Sequence, residues 1–211
     1  MIKALIFDFD GTLANTLPFT FEKIIEISKK YKVKGKQEEI IEKVRRLQPK
    51  QLMREFNISW FKIPIILWEI RKAQRLLYDR IDKIKIFPNL KKVLKKLNKK
   101  GFILFIYSSN IKKNIDHFLK KERIEDLFKK VYTSSNLLAK DKDLINILKK
   151  EGLTKDEVLY LADEVRDVLA CKKAGIKMIG AAWGLAGERT LKDTGVNFLV
   201  KKPEEILKIL K

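Results

Sequence analysis

Cysteine, histidine, acidic residues and long apolar runs are all scarce in this 211-residue chain. One cysteine, Cys171, excludes an internal disulfide framework and suits a reducing cytosol. One histidine, His117, has no second histidine or cysteine at ligand spacing, so a zinc site is not expected there. The longest apolar runs, Ile63 to Leu67 and Phe102 to Tyr107, are too short to span a bilayer. Met1 to Leu5 shows neither an h-region nor a small-residue cleavage site, so no signal peptide is expected. The glycines at 175, 180 and 184 miss the dinucleotide fingerprint, and there is no internal repeat or low-complexity linker. What is present is a 45% hydrophobic composition, enough to bury a sizeable core. The expectation is a cytoplasmic protein with no membrane segment, built as one domain or one domain with an insertion.

Acidic residues number 27 against 47 basic ones, a formal net charge of +20. The excess is broad, and 38 of the basic residues are lysine, recurring in doublets such as Lys95-Lys96 and Lys99-Lys100. That pattern reads as a solvated lysine coat, since a nucleic-acid surface favours arginine with aromatics on one element. Nucleic acid is therefore expected to bind nonspecifically if at all, while the positive field favours anionic small molecules.

Residues 2 to 7 form a short apolar run that stops abruptly at Asp8, Asp10 and Gly11, the pattern of a buried strand and the loop at its C-terminal end. From about residue 16 to 86 the apolar spacing is helical, with Pro64 breaking the start of a helix over Ser59 to Ile81. After Pro88 strands and helices alternate. Helices are expected over Pro88–Lys100, Ile111–Lys121, Lys142–Lys150 and Val165–Ala174, and strands over Phe102–Tyr107, near Val131, and over Val158–Leu161 and Lys177–Ala181. Such alternation predicts an α/β fold, a Rossmann-like parallel sheet with helices on both faces, interrupted by an inserted all-helical segment. Trp60, Phe61 and Trp68 are expected to supply the small core of that insertion.

In open α/β sheets functional groups gather at the C-terminal ends of the strands. The residues following the strands here are Asp8-Phe9-Asp10-Gly11-Thr12, Ser108-Ser109-Asn110, Lys140 before a helix, and Asp163-Glu164 with Asp167 four positions on. Carboxylates this close repel unless a cation sits among them, and a hard ion such as Mg²⁺ would relieve that repulsion.

These four motifs, in this order, resemble those of the haloacid dehalogenase superfamily over essentially the whole chain. The nearest pattern is the phosphoglycolate-phosphatase-like branch, in which a helical cap follows the first motif. The resemblance implies a core domain of residues 1–15 and 87–211 and a helical cap domain of residues 16–86. It implies a Mg²⁺-dependent phosphatase acting on a small phosphomonoester (phosphoglycolate-like, sugar phosphate or nucleotide) through an aspartyl-phosphate. Asp8 would be the nucleophile and Asp10 the acid and base. Ser108, Ser109, Phe9 and Lys140 would bind the phosphoryl group. Asp8, Asp10 (through its main-chain carbonyl) and Asp163 would hold Mg²⁺, with Asp167 and Thr12 supporting them from behind.

Four positions depart from the family pattern. Ala162 replaces the common glycine, Asp141 and Asp143 replace prolines, and Asn15 replaces an aspartate. Lys142 competes with Lys140 as the motif lysine, and Glu164 reads as a first-turn acid complementing the helix dipole. A phosphomutase of the same superfamily and a basic nucleic-acid-binding protein with a vestigial site are the alternatives. The chain is expected to be a monomer or homodimer.

Overall fold

The computed structural model describes residues 1–134 and 139–210. Among them, six parallel strands form one sheet: β1 (Ala4–Phe7), β2 (Ile103–Ser108), β3 (Lys130–Thr133), β4 (Val158–Ala162), β5 (Lys177–Ala181) and β6 (Phe198–Val200). Four helices lie between β1 and β2's own helix: α1 (Leu17–Lys30), α2 (Gln37–Arg46), α3 (Pro49–Glu55) and α4 (Ile63–Tyr78). Then come α5 (Leu90–Lys99), α6 (Lys112–Glu122), α7 (Lys140–Glu151), α8 (Val165–Ala174), α9 (Gly187–Asp193) and the short α10 (Ile206–Ile209). No helix among the described residues is long and apolar enough to cross a membrane.

The strand order is β3-β2-β1-β4-β5-β6, so β1 is interior and buried on both faces. This is why it reads as an unbroken apolar run and not as an alternation. Phe7 is level with Ile106 of β2 and Leu161 of β4, which brings the three C-terminal ends into line. Alternate side chains enter opposite layers. Leu5 and Phe7 pack with α5 and α6, whereas Ala4 and Ile6 pack with α7 and α8.

The expected elements are present, with shifted ends. Leu90, Val93, Leu94 and Leu97 of α5 are buried at helical spacing. The helix opens at Leu90 and not at Pro88, because Asn89 takes a left-handed conformation at φ +63°. Helix α7 begins two residues before the expected Lys142, so Lys140 belongs to its first turn. Helix α8 and strand β5 have the expected bounds.

The chain leaves for the insertion at Ala14 and returns at Ile86, where the two form an antiparallel bridge and Asn15 N–H donates to the Lys85 carbonyl at 2.9 Å. A 3₁₀ turn at Trp60–Lys62 precedes α4, and Pro64 lies in its first turn, where a missing N–H is tolerated. The expected aromatic core is not there. Trp60, Phe61 and Trp68 are 66%, 69% and 54% exposed, and Trp60 stacks on Phe61 at 3.8 Å. The inward stripe of α4 runs through Glu69, Ala73 and Leu77 instead, one position around the helix from Trp68. His117 is a half-buried boundary residue, 2.9 Å from Asp82, and Cys171 is buried in the face of α8 that packs on the sheet.

At the opposite end of the sheet from the motifs, Glu157 ties β1 to β4. It pairs with Lys3 Nζ at 2.5 Å and accepts from Thr154 N–H and Oγ1 at 2.9 and 3.0 Å. These partners, Lys3 first, hold its carboxyl down at about 2 against an ordinary 4.5. A depressed carboxylate stabilises the fold above its unfolded pKa and stops doing so as pH falls through its folded pKa. Glu157→Gln should therefore lower the melting temperature at pH 7, and the gap to the parent should close between pH 4.5 and about 2. Melts across that range that stay parallel would disprove the linkage.

Candidate active site

The chain lays β2 and β3 to one side of β1, then crosses back to place β4, β5 and β6 on the other. Such a switch point opens a crevice at the C-terminal ends of the central strands. Asp8 stands one residue beyond β1, and Asp163 and Glu164 stand just beyond β4.

The buried Asp8 extends the ladder by one bond, its N–H donating to the Leu161 carbonyl at 2.8 Å. Its Oδ1 accepts from Phe9 N–H at 2.8 Å, and its Oδ2 lies 3.3 Å from Lys140 Nζ. Lys140 is only 6% exposed. The same Nζ donates to Asp167 Oδ1 and lies over the Tyr107 and Tyr160 rings, at 5.5 and 5.3 Å from their centroids. Lys142, the competing candidate, is exposed. Burial pushes Asp8 up against the opposing pull of Lys140, and it takes Asp167 to about 6. Burial disfavours the Lys140 cation, but Asp167 and Asp8 outweigh it and hold the ammonium protonated.

One oxygen each from Asp8, Glu164 and Asp167 lies within 4.8 Å of the others. Glu164 caps α8 and is gripped by Arg166, whose Nη2 donates to Oε1 at 2.8 Å and whose Nε lies 2.6 Å from Oε2. Burial pushes Glu164 up, yet Arg166 prevails and its carboxyl sits below the ordinary range. Asp167 Oδ2 is buried with no hydrogen-bond partner among the described residues. An oxygen trio of two buried residues and the half-buried Glu164, with an orphaned acceptor, has the chemistry a hard divalent cation requires.

Asp163 is engaged elsewhere. Thr12 Oγ1 donates to its Oδ1 at 2.7 Å and Leu185 N–H to its Oδ2 at 2.6 Å, while its carbonyl accepts from Ala186 N–H at 3.0 Å. Gly11 and Gly184 close around it, and a Cβ on either would fall within 2.2 Å of its side chain. Burial, with the charges of Glu164 and Asp8, pushes its pKa well above the usual value. Asp10 is held by Asn110, whose Nδ2 donates to both carboxylate oxygens at 2.9 and 3.1 Å. Burial raises Asp10, and Asn110 pulls against that rise.

The ligand set that the resemblance implies, Asp8, the main-chain carbonyl of Asp10 and Asp163, stands beside a second group of oxygens that the structure draws together around Asp8. Thr12 and Leu185 take both oxygens of Asp163, Asn110 takes those of Asp10, and Glu164 and Asp167 face Asp8. Ser108 ends β2, buried, with Oγ accepting from Asn110 N–H at 3.1 Å, so its own proton is left to donate. Ser109 contributes its carbonyl, which accepts from Arg71 Nη1 and Gln74 Nε2 of α4, both at 3.1 Å.

A model of the haloacid dehalogenase-like hydrolases matches residues 5–181. The chain belongs to that family. Among its relatives, a phosphoglycolate phosphatase from Synechococcus elongatus is 28% identical over 98% of this chain and 96% of its own length. Pyrophosphatase PpaX from Anoxybacillus flavithermus is 24% identical over 99% of this chain and 97% of its own. A haloacid dehalogenase-like family hydrolase from Streptococcus pneumoniae shares the fold with a TM-score of 0.79 at 20% identity, covering 100% of this chain and 99% of that one.

Sequence reasoning gave this hydrolase no role for Asn110, Arg166, Arg71 or Gln74, and read Glu164 as a dipole partner. Asn110 carried a signal, two residues beyond Ser108 at a strand end. The acid–base run Glu164-Val165-Arg166-Asp167 after a fully buried strand carried another. The contacts of Arg71 and Gln74 depend on how α4 lies over the sheet and leave no local trace.

The close packing around Asp163 is open to test. Gly184 has no positive φ, so a methyl group there acts only through its contact, 2.1 Å from Asp163 Cβ. Gly184→Ala should cost about 2–3 kcal/mol of unfolding free energy by overpacking. Gly187, at φ +74° with nothing within 4 Å, should lose only about 1 kcal/mol on the same change. Denaturant unfolding of both variants gives the comparison, and equal losses would contradict it.

Proposed function

We propose that this hydrolase is a Mg²⁺-dependent phosphatase that cleaves a small phosphomonoester through an aspartyl-phosphate on Asp8. One observation carries the reading: Lys140 Nζ bridges Asp8 and Asp167 at the C-terminal end of the central strand, 3.3 Å from Asp8 Oδ2. A buried carboxylate with a fixed cation beside it can meet an anionic phosphate without the full Coulomb penalty. The names of the relatives, a phosphoglycolate phosphatase and a pyrophosphatase, support a phosphate substrate.

The oxygen trio and the orphaned Asp167 Oδ2 fit a divalent ion held by Asp8, Glu164 and Asp167. The family resemblance assigns the ion to Asp8, the main-chain carbonyl of Asp10 and Asp163, and Asp8 is common to both sets. When bound, Mg²⁺ supplies positive charge where nucleophile and phosphate are both anionic. Asp8 attacks phosphorus, the P–O ester bond breaks, and Asp10 gives its proton to the departing alkoxide. Asp10 then takes a proton from water, whose oxygen displaces Asp8 and releases inorganic phosphate. Burial keeps the Asp10 pKa raised, which suits a group that must carry a proton in the first step. The Ser108 hydroxyl, the Lys140 ammonium and main-chain N–H groups around Phe9 and Ser109 bind the phosphoryl oxygens. Thr12 holds Asp163, and with it the loop that follows β4, in position. Residues 16–86 act as a cap domain over a core of residues 1–15 and 87–211, shutting bulk water out of the crevice.

The test is phosphate release from a panel of small phosphomonoesters with Mg²⁺ and with EDTA. Release should require the metal, and Asp8→Asn should lower it about a thousandfold or more in a protein that still unfolds cooperatively. Full turnover by a folded Asp8→Asn protein would end the mechanism. In the same assay Glu164→Gln should raise the Mg²⁺ concentration for half-maximal rate about tenfold. No change in that concentration would remove Glu164 from the ligand set.

A further inference from the structure

Beside the crevice lies a cleft of about 400 Å³ between α4 and the ends of β2 and β3, which no step above uses. Its walls include Arg71 and Arg75 from α4, Asn110 and Lys112 from the start of α6, and Thr133 at the end of β3. No carboxylate lines it among the described residues. Asn110 belongs to both places, since the amide that lines the cleft also holds Asp10. The cleft therefore opens next to the group that would protonate the leaving oxygen.

The two arginines are four residues apart, on one face of α4. Arg71 is anchored through Nη1, which donates to Gln74 Oε1 at 2.8 Å and to the Ser109 carbonyl at 3.1 Å. Its Nη2 is buried with no hydrogen-bond partner among the described residues. Arg75 is exposed and makes no ion pair or hydrogen bond among the described residues. A buried guanidinium donor without an acceptor is an unusual thing to leave in a folded protein. A second guanidinium one turn along, exposed and unpaired among the described residues, makes a two-armed receptor, and the planar fork of arginine fits carboxylate and phosphate alike.

We infer that Arg71 and Arg75 form a subsite for a second anionic group on the leaving-group side of the substrate, a carboxylate or a further phosphate. The inference rests on the phosphatase reading for the position of the first phosphate. It narrows the substrate class to short phosphomonoesters that carry another anion a few bonds from the ester oxygen. A neutral or purely apolar leaving group would leave both guanidinium groups unmatched, so the subsite selects by charge as well as by size.

The experiment compares kcat/KM of the full chain, with Mg²⁺, for 2-phosphoglycolate, ethylene glycol bisphosphate and ethyl phosphate. The three share a primary alkoxide and differ in tail: carboxylate, phosphate or methyl. The parent protein should prefer at least one anionic tail over ethyl phosphate by about tenfold or more. Arg75→Ala should abolish most of that preference, and Arg75→Lys should restore part of it. Which tail wins identifies the anion. Equal rates on all three, or an Arg75→Ala protein with the preference intact, would overturn the subsite and leave the phosphatase reading standing. Should none of the three be hydrolysed, the wider panel decides the phosphatase reading and calorimetry decides the subsite. Binding of 2-phosphoglycolate stronger than ethyl phosphate in the parent but not in Arg75→Ala supports it, and no such difference overturns it.

Discussion

One buried ammonium organises the crevice. Lys140 Nζ reaches Asp8 at the end of β1 and Asp167 on α8 from the first turn of α7, so three elements from distant parts of the chain meet at one charge. Removing a single partner from such a buried set typically costs about 3–5 kcal/mol, because the charges left behind stay desolvated. The apolar face of α7, with Leu144, Ile147 and Leu148 against the sheet, holds the helix where the lysine can make both contacts. The Tyr107 and Tyr160 rings beneath it shield the ammonium from water and add to its attraction. Burial that would strip a proton from an isolated lysine is outweighed here by two carboxylates, which makes the cation permanent at neutral pH.

The electrostatics of the crevice oppose those of the surface. The chain as a whole carries +20, while around the crevice Asp8, Asp10, Asp163, Glu164 and Asp167 face Lys140 and Arg166. An anionic ligand would be drawn toward the protein by its lysine coat and then meet an acidic centre. The upward shifts of Asp8, Asp163 and Asp167 record that tension, since burial and mutual repulsion both favour a proton or a cation there. A divalent ion held there, as proposed for Mg²⁺, would reconcile the two fields.

The α/β fold was legible in the sequence for a plain reason: strands buried on both faces read as unbroken apolar runs, and α5 repeats leucine and valine at helical spacing. The residues gathered at the strand ends were legible too, because a parallel sheet with aligned registers puts Asp8, Ser108 and Asp163 on one rim whatever the loops do. Which oxygen faces which neighbour was not. Asp163 and Glu164 are adjacent in sequence and opposite in direction. Only the close approach of Gly11, Gly184 and the Leu185 amide decides that the first is locked in and the second faces Asp8. The aromatic residues of the insertion misled for a related reason. Hydrophobic residues are not all inside, and the phase of α4 is set by Glu69, Ala73 and Leu77, leaving Trp68 outward.

The loop Ser108-Ser109-Asn110 joins the insertion to the chemistry. The Ser109 carbonyl receives two hydrogen bonds from α4, through Arg71 and Gln74, and Asn114 Nδ2 returns one to the Gln74 carbonyl at 2.7 Å. One residue along, the Asn110 side-chain Nδ2 donates to both oxygens of Asp10, and Asn110 Oδ1 is fixed in turn by Ile111 N–H and Asn114 Nδ2. Asn114 is thus bonded both to the helix of the insertion and to the amide that orients the acid. Any movement of α4 away from the sheet has to break the bonds to Ser109 and Asn114, and so loosens the residue that sets Asp10. The geometry of the Asp10 carboxylate, the proposed acid, and the position of the insertion are therefore one constraint, because a three-residue loop is too short to transmit the first without the second.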